Sequence, residues 1–107
     1  STAQDTAIFC RMLLNGGQLD GRQYLSDAAF KELTRRQTPA SVKDSYGFGL
    51  AVGPDWFGHG GAYATAMEIR PAKGIAIIWM VQHAGFPGDG AKAQDVFKRW
   101  AQERFGK

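Results

Sequence analysis

The sequence has a single cysteine, no apolar run long enough to cross a bilayer, and no block of like charge. Cys10 alone forbids an internal disulfide. It falls in a helical pattern among apolar neighbours and reads as a small core residue. The longest apolar stretch, "GIAIIWMVQ" at 74–82, is strand-sized; a helical span needs about 18–20 residues. The net charge is +3, with Lys and Arg scattered along the chain. That mild bias points to no nucleic-acid surface. The opening "STAQDTA" has neither the basic start nor the apolar core of a signal peptide. There is no internal repeat and no low-complexity segment.

What is present suits one compact domain. The chain has 107 residues, 44% apolar and 21% charged, the balance of a globular protein. Residues 2–14 carry a helical stripe of Ala3, Ala7, Cys10 and Leu14, broadened by Ile8, Phe9 and Leu13. Thr2 and Asp5 form a capping pair at its start, and Asn15-Gly16-Gly17 stops it. "QLDGRQYL" is a turn-rich connector. Ser26 caps a second helix over 27–36, with Ala29, Phe30 and Leu33 inward.

From Tyr46 the period changes from helix to strand. "YGFGLAVG", "WFGHGGAYA", "TAMEIR" and "IAIIWMVQ" read as four strands. In the third, Ala66 and Glu68 oppose Met67 and Ile69. The fourth is apolar on both faces and requires cover on both sides. Residues 91–105 form an amphipathic helix with Val96, Phe97, Trp100 and Ala101 inward. The class is α+β: two N-terminal helices over 1–37, then an antiparallel sheet of three to four strands and a C-terminal helix packed on it over 46–107. The ten-residue loop before the sheet leaves room for the first helices to belong to another subdomain.

Several glycine patterns carry no chemistry. Gly47, Gly49 and Gly53 miss the dinucleotide fingerprint by one residue, and no helix follows. Gly58–Gly61 lacks the Lys-Ser/Thr ending of a phosphate loop. His59, His83 and Cys10 do not make a zinc set, and no cofactor is expected. Glu68, the one acid in a strand, pairs most simply with Arg70 or a cross-strand cation. His59-Gly60-Gly61 is different. Glycine weakens a strand and often marks close approach of a backbone or a ligand, so this segment reads as a strand edge kept clear for something extended.

The order "STAQDTAIFCRMLLNGGQLDGRQYLS", "YGFGLAV", "FGHGGAYATAMEIRP", "GIAIIWMVQ" resembles the C-terminal part of the serine β-lactamase-related family. That family includes class C β-lactamases, DD-peptidases and the esterases built like them. The resemblance implies a fragment of the β-lactamase/transpeptidase-like fold and a serine hydrolase acting on ester or amide bonds, β-lactam and peptide bonds included, through an acyl-enzyme. Three motifs surround the active site of that family: Ser-x-x-Lys, a Tyr-x-Asn-like motif, and a Lys-Thr-Gly-like triplet whose His-x-Gly variant is common in the esterase-like branches. By position His59 matches the lysine and is the catalytic candidate. Gly60 and Gly61 match the threonine and glycine as substrate-binding positions, and Ala62 follows where the family offers a backbone N–H to the oxyanion. Gly60 lacks the threonine hydroxyl, which weakens the case for penicillin-type carboxylate recognition.

The other two motifs are missing. Ser1, Ser26, Ser41 and Ser45 have no Lys three residues on, and Tyr24, Tyr46 and Tyr63 have no Asn two residues on. The chain thus holds no nucleophile and is expected to be a piece of a longer protein. Its expected partners are a small-molecule or peptide substrate, the remainder of the same protein, and other copies of itself through an uncovered sheet face. An extracytoplasmic or periplasmic location is implied by the resemblance alone. The alternative is a non-catalytic module of the same fold that binds a peptide or acts as a scaffold, its sheet edge pairing with an added strand.

Overall fold

The computed structural model describes residues 1–107. The first helix, α1, runs Ala3–Leu14. Thr2 Oγ1 accepts the Asp5 N–H at 3.0 Å, which satisfies one of the free donors of the first turn. At its other end Gly16 and Gly17 have φ of 69° and 96°, and the Gly17 N–H reaches back to the Met12 carbonyl at 2.9 Å. Side chains rarely adopt that left-handed turn, so glycine ends the helix. The connector closes as a small antiparallel hairpin of β1 (Gln18–Leu19) and β2 (Arg22–Gln23). α2 follows over Asp27–Thr34, capped by Ser26 Oγ on the Ala29 N–H at 3.1 Å.

The main sheet is an antiparallel meander of β3 (Ala51–Val52), β4 (Phe57–Gly60), β5 (Ala66–Arg70) and β6 (Ile75–Trp79). A short 3₁₀ turn at Pro71–Lys73 joins the last two, with Gly74 at φ 66°. The register pairs Phe57 with Ile69 and Ile69 with Ala76; it pairs Gly58 with Glu68 and Glu68 with Ile77. Paired residues in an antiparallel ladder share a face, so these two rows define the two faces of the sheet. The chain ends in α3, Gly90–Phe105.

Each face has its own core. On the first, Cys10 and Leu13 of α1 are fully buried against Leu50, Phe57 and Ile69. Burying Leu13 alone stabilises the fold by about 1.5–3 kcal/mol. Phe30 of α2 joins this layer edge-on to Phe57, ring centroids 6.2 Å apart. On the second face Ala101 of α3 packs on Ile75 and Ile77, with Phe97 beside them. β6 is therefore covered on both sides, as its apolar character requires, and α1 lies directly on the sheet.

Several expectations are corrected. On α1, Ala3 is exposed and Ile8 and Phe9 are 42% and 46% exposed, so the buried stripe is Cys10 and Leu13. The second strand is Phe57–Gly60 rather than 56–64, and α2 ends at Thr34 rather than at 36. The first strand shrinks from 46–53 to Ala51–Val52, with Tyr46 making one isolated bridge to Ala51. The segment between turns on Gly49, φ 80°, and on a Gly47 N–H to Leu50 carbonyl bond of 2.7 Å. Ala29 is exposed, because the eight-residue α2 meets the core through Phe30 and Leu33 only. On α3, Phe97 and Ala101 face the sheet, whereas Val96 and Trp100 are 58% and 50% exposed.

Burial pushes the Cys10 thiol up to about 11, because a thiolate would lose its hydration there. A thiol reagent at pH 8 is therefore expected to leave Cys10 unmodified in the native protein and to label it fully in denaturant. Rapid native labelling would contradict the assigned packing of α1. The raised value also gives a sign for alkaline pH. Stability from this group is complete below the unfolded thiol's ordinary value and is lost as pH rises toward 11.

Candidate active site

The candidate residues lie at the end of β4 and in the turn that leads to β5. β3 pairs only with the start of β4, Val52 with Phe57 and Ala51 with Gly58. His59 and Gly60 pair with Met67 and Ala66 of β5 on one side and with no strand on the other. The short β3 thus leaves a free edge at the histidine. The bend at 47–50 causes this, since a strand continued from Ala51 back to Tyr46 would run past the free edge.

His59 is exposed and shares the face of Met67, whose Sδ lies 3.9 Å from Cys10 Sγ beneath it. Its ring meets Tyr46 edge-on, centroids 5.8 Å apart at 87°, and Nδ1 contacts the Gly60 carbonyl. Tyr46 is itself held by its backbone: its carbonyl accepts the Gln37 N–H at 2.8 Å, and its N–H donates to Thr38 Oγ1 at 3.2 Å. Tyr46 is thus the wall against which the histidine rests. From the sequence Tyr46 is a strand residue and one of three tyrosines without Asn two residues on, and nothing there places it beside His59.

The glycines divide by what a side chain would meet. A Cβ on Gly58 would lie 2.1 Å from the Met67 carbonyl oxygen and 3.0 Å from Glu68 Cα. This glycine serves the contact between β4 and β5. A Cβ on Gly61 would lie 2.2 Å from Thr65 Oγ1, a hydroxyl that can rotate away. Gly60 has its nearest contact, the Thr65 carbonyl, at 3.5 Å, which is ordinary packing distance. Only at Gly60 does the missing side chain leave usable space.

Residues 61–65 form a tight hairpin loop. The Ala64 N–H donates to the Gly61 carbonyl at 3.1 Å, and the Gly61 N–H donates to the Thr65 carbonyl at 3.0 Å. Ala62 and Tyr63 have negative φ, and Ala64 sits in the left-handed region at 61°. This is a type I turn followed by a left-handed residue, a common three-residue hairpin connection that ordinarily takes glycine last. Ala62 occupies the second turn position, is exposed, and its N–H has no backbone acceptor. Its donor is available to a ligand.

Two cavities flank the edge, and His59 and Gly60 line both. One, of about 530 Å³, lies between them and Thr6, Gly49, Met67 and Met80. The other, of about 330 Å³, is bounded by Gly61, Ala64, Phe86, Gln94 and Lys98. The cation in the second is neutralised. Lys98 Nζ lies 3.2 Å from Glu68 Oε2, while Glu68 Oε1 accepts from Arg70 Nε at 2.6 Å. Arg70 also holds Asp55 at 3.0 Å. Glu68, 7% exposed, is thus buried with its charge matched, as a buried carboxylate must be. The pairing with Arg70 follows the expectation, and the second cation comes from α3 rather than from a neighbouring strand.

No helix is long and apolar enough to cross a membrane. None of the curated proteins compared matches the chain. Residues 1–98 match the Beta-lactamase family. The match runs from α1 through the sheet into α3 and includes the whole His-Gly-Gly edge, and the three helices and antiparallel strands are consistent with part of that fold. On this extent of match, the chain belongs to the Beta-lactamase family.

Proposed function

We propose that this chain supplies one wall of the active site of a serine hydrolase that cleaves ester or amide bonds through an acyl-enzyme. The observation that carries this is the Ala62 N–H, unpaired in a turn closed by two hydrogen bonds, beside the open edge at His59 and Gly60. A serine oxygen would add to the substrate carbonyl, and the negative charge that develops would be met by backbone N–H groups, Ala62 among them. Collapse of that intermediate expels the alcohol or amine, which takes a proton. Water then adds to the acyl-enzyme and releases the acid. His59 stands where it can polarise the substrate or pass protons; an imidazole can do either near neutral pH. The groove beside it is lined by Met67 and Met80, which suits an apolar acyl group.

The serine would come from outside these residues. Ser26 is committed to its helix cap, and none of the four serines stands in a Ser-x-x-Lys motif. The full-length protein is therefore expected to react with a fluorophosphonate probe at a serine outside 1–107. The isolated chain is expected to turn over neither an activated ester nor a chromogenic cephalosporin. Turnover by the isolated chain above the buffer rate, abolished by replacing one of its four serines, would overturn the assignment.

The peptide-binding alternative is less well served by this edge. Two free residues at His59 and Gly60 offer about 7 Å of strand, too short for an added strand to gain a ladder of hydrogen bonds.

A further inference from the structure

We infer that Gln94 of α3 is a positioning residue for the Ala62 N–H, an inference that rests on the proposed role of that turn in the oxyanion site. Gln94 Nε2 donates to the Ala64 carbonyl at 3.3 Å, across thirty residues of sequence. Ala64 is 5% exposed and holds φ of 61° without being glycine. A left-handed alanine costs about 1–2 kcal/mol, so the surroundings must hold it there. The two backbone bonds of the turn fix its closure. They leave the Ala64 carbonyl to be satisfied from outside, and Gln94 does this from α3.

The placement is part of a stripe. Gln94, Phe97, Lys98 and Ala101 recur at helical spacing on the sheet-facing side of α3. Phe97 and Ala101 provide apolar contact, and Lys98 grips Glu68 of β5. Gln94 extends the same grip one helical turn further, to the loop that begins at Gly61. Ala62 and Ala64 lie two residues apart in a closed turn, so a shift at the Ala64 peptide re-aims the Ala62 N–H. An oxyanion donor works only at hydrogen-bond distance from the developing charge, and a displacement of about 1 Å is enough to cost orders of magnitude in rate.

The test uses the full-length protein and a p-nitrophenyl ester. Gln94→Leu keeps the volume and removes the donor. It is expected to lower kcat about 10-fold with KM within about 2-fold, because the ground state does not use the oxyanion site. Gln94→Glu sets a carboxylate against the carbonyl at neutral pH and a donating carboxyl at low pH. Its kcat relative to wild type is expected to rise as pH falls through the ordinary carboxyl range, a recovery that simple loss of packing would not give. Equal kcat for Gln94→Leu and wild type, with Ala62→Pro impaired in parallel, overturns the positioning role and leaves the proposed oxyanion site standing. If neither substitution changes the kinetics, the oxyanion role of the turn itself fails. Should Gln94→Leu not fold, the pH profile of Gln94→Glu decides alone: a ratio to wild type that is flat with pH overturns the inference.

Discussion

Replacing Gly58 with alanine is expected to destabilise the protein by about 3 kcal/mol, the upper end of what overpacking a close-packed site costs. The added Cβ would stand 2.1 Å from the Met67 carbonyl oxygen and 3.0 Å from Glu68 Cα, both backbone atoms of β5. Neither can rotate aside, so β4 must separate from β5. That separation would disturb Phe57, paired with Ile69 in the first core, and Glu68, paired with two cations on the second face. Gly60→Ala, two residues along, is the matched control. Its Cβ meets only the Thr65 carbonyl, at 3.5 Å, and a change within about 0.5 kcal/mol is expected. Urea denaturation of the two variants measures the contrast. Equal stabilities would mean that the glycines of this strand share one purpose and that the contact between β4 and β5 is looser than described.

That contrast marks the boundary of what the sequence discloses. Both ends of α1 and the start of α2 were legible because capping is local: Thr2, Ser26 and the Asn15-Gly16-Gly17 stop act within a few residues. β5 and β6 were legible because alternation, and its absence, reports which faces are covered. β3 was not, because "YGFGLAV" has strand composition but turns at Gly49, and a left-handed glycine and a strand glycine are the same letter. On α3 two apolar stripes lie side by side, Val96 with Trp100 and Phe97 with Ala101. Both have the i, i+4 spacing, and only the sheet's position selects the second. At the candidate site His59 and the glycines stood out through their composition. Tyr46 and Gln94 did not, since each acts through a partner thirteen or thirty residues away. Ala64 was hidden for another reason: alanine carries no signal for the left-handed conformation it adopts.

If the proposed function holds, Ala62→Pro is expected to lower kcat of the full-length protein about 10²–10³-fold, the loss of about 2.7–4 kcal/mol that follows removal of one oxyanion donor. The turn makes this a clean deletion. Ala62 is the second residue of a type I turn, a position that proline favours because its ring presets φ near that value. The N–H that proline lacks has no backbone acceptor to lose. The melting temperature should accordingly stay close to that of wild type, while Ala62→Gly, which keeps the N–H, should be mild in both respects. His59→Ala tests the neighbouring group by other means and is expected to lower kcat/KM about 10-fold or more, as for a positioned acid–base or polarising group. Some stability should go with it, because the edge-on contact with Tyr46 at 5.8 Å is lost, and aromatic pairs contribute about 0.5–1.5 kcal/mol. The two effects separate in one experiment. If His59 only packs on Tyr46, the melting temperature falls and the kinetics of the folded variant stay at the wild-type level. If Ala62→Pro also retains full kcat, the turn supplies no oxyanion donor, and the wall formed by β4 must be assigned to substrate contact alone.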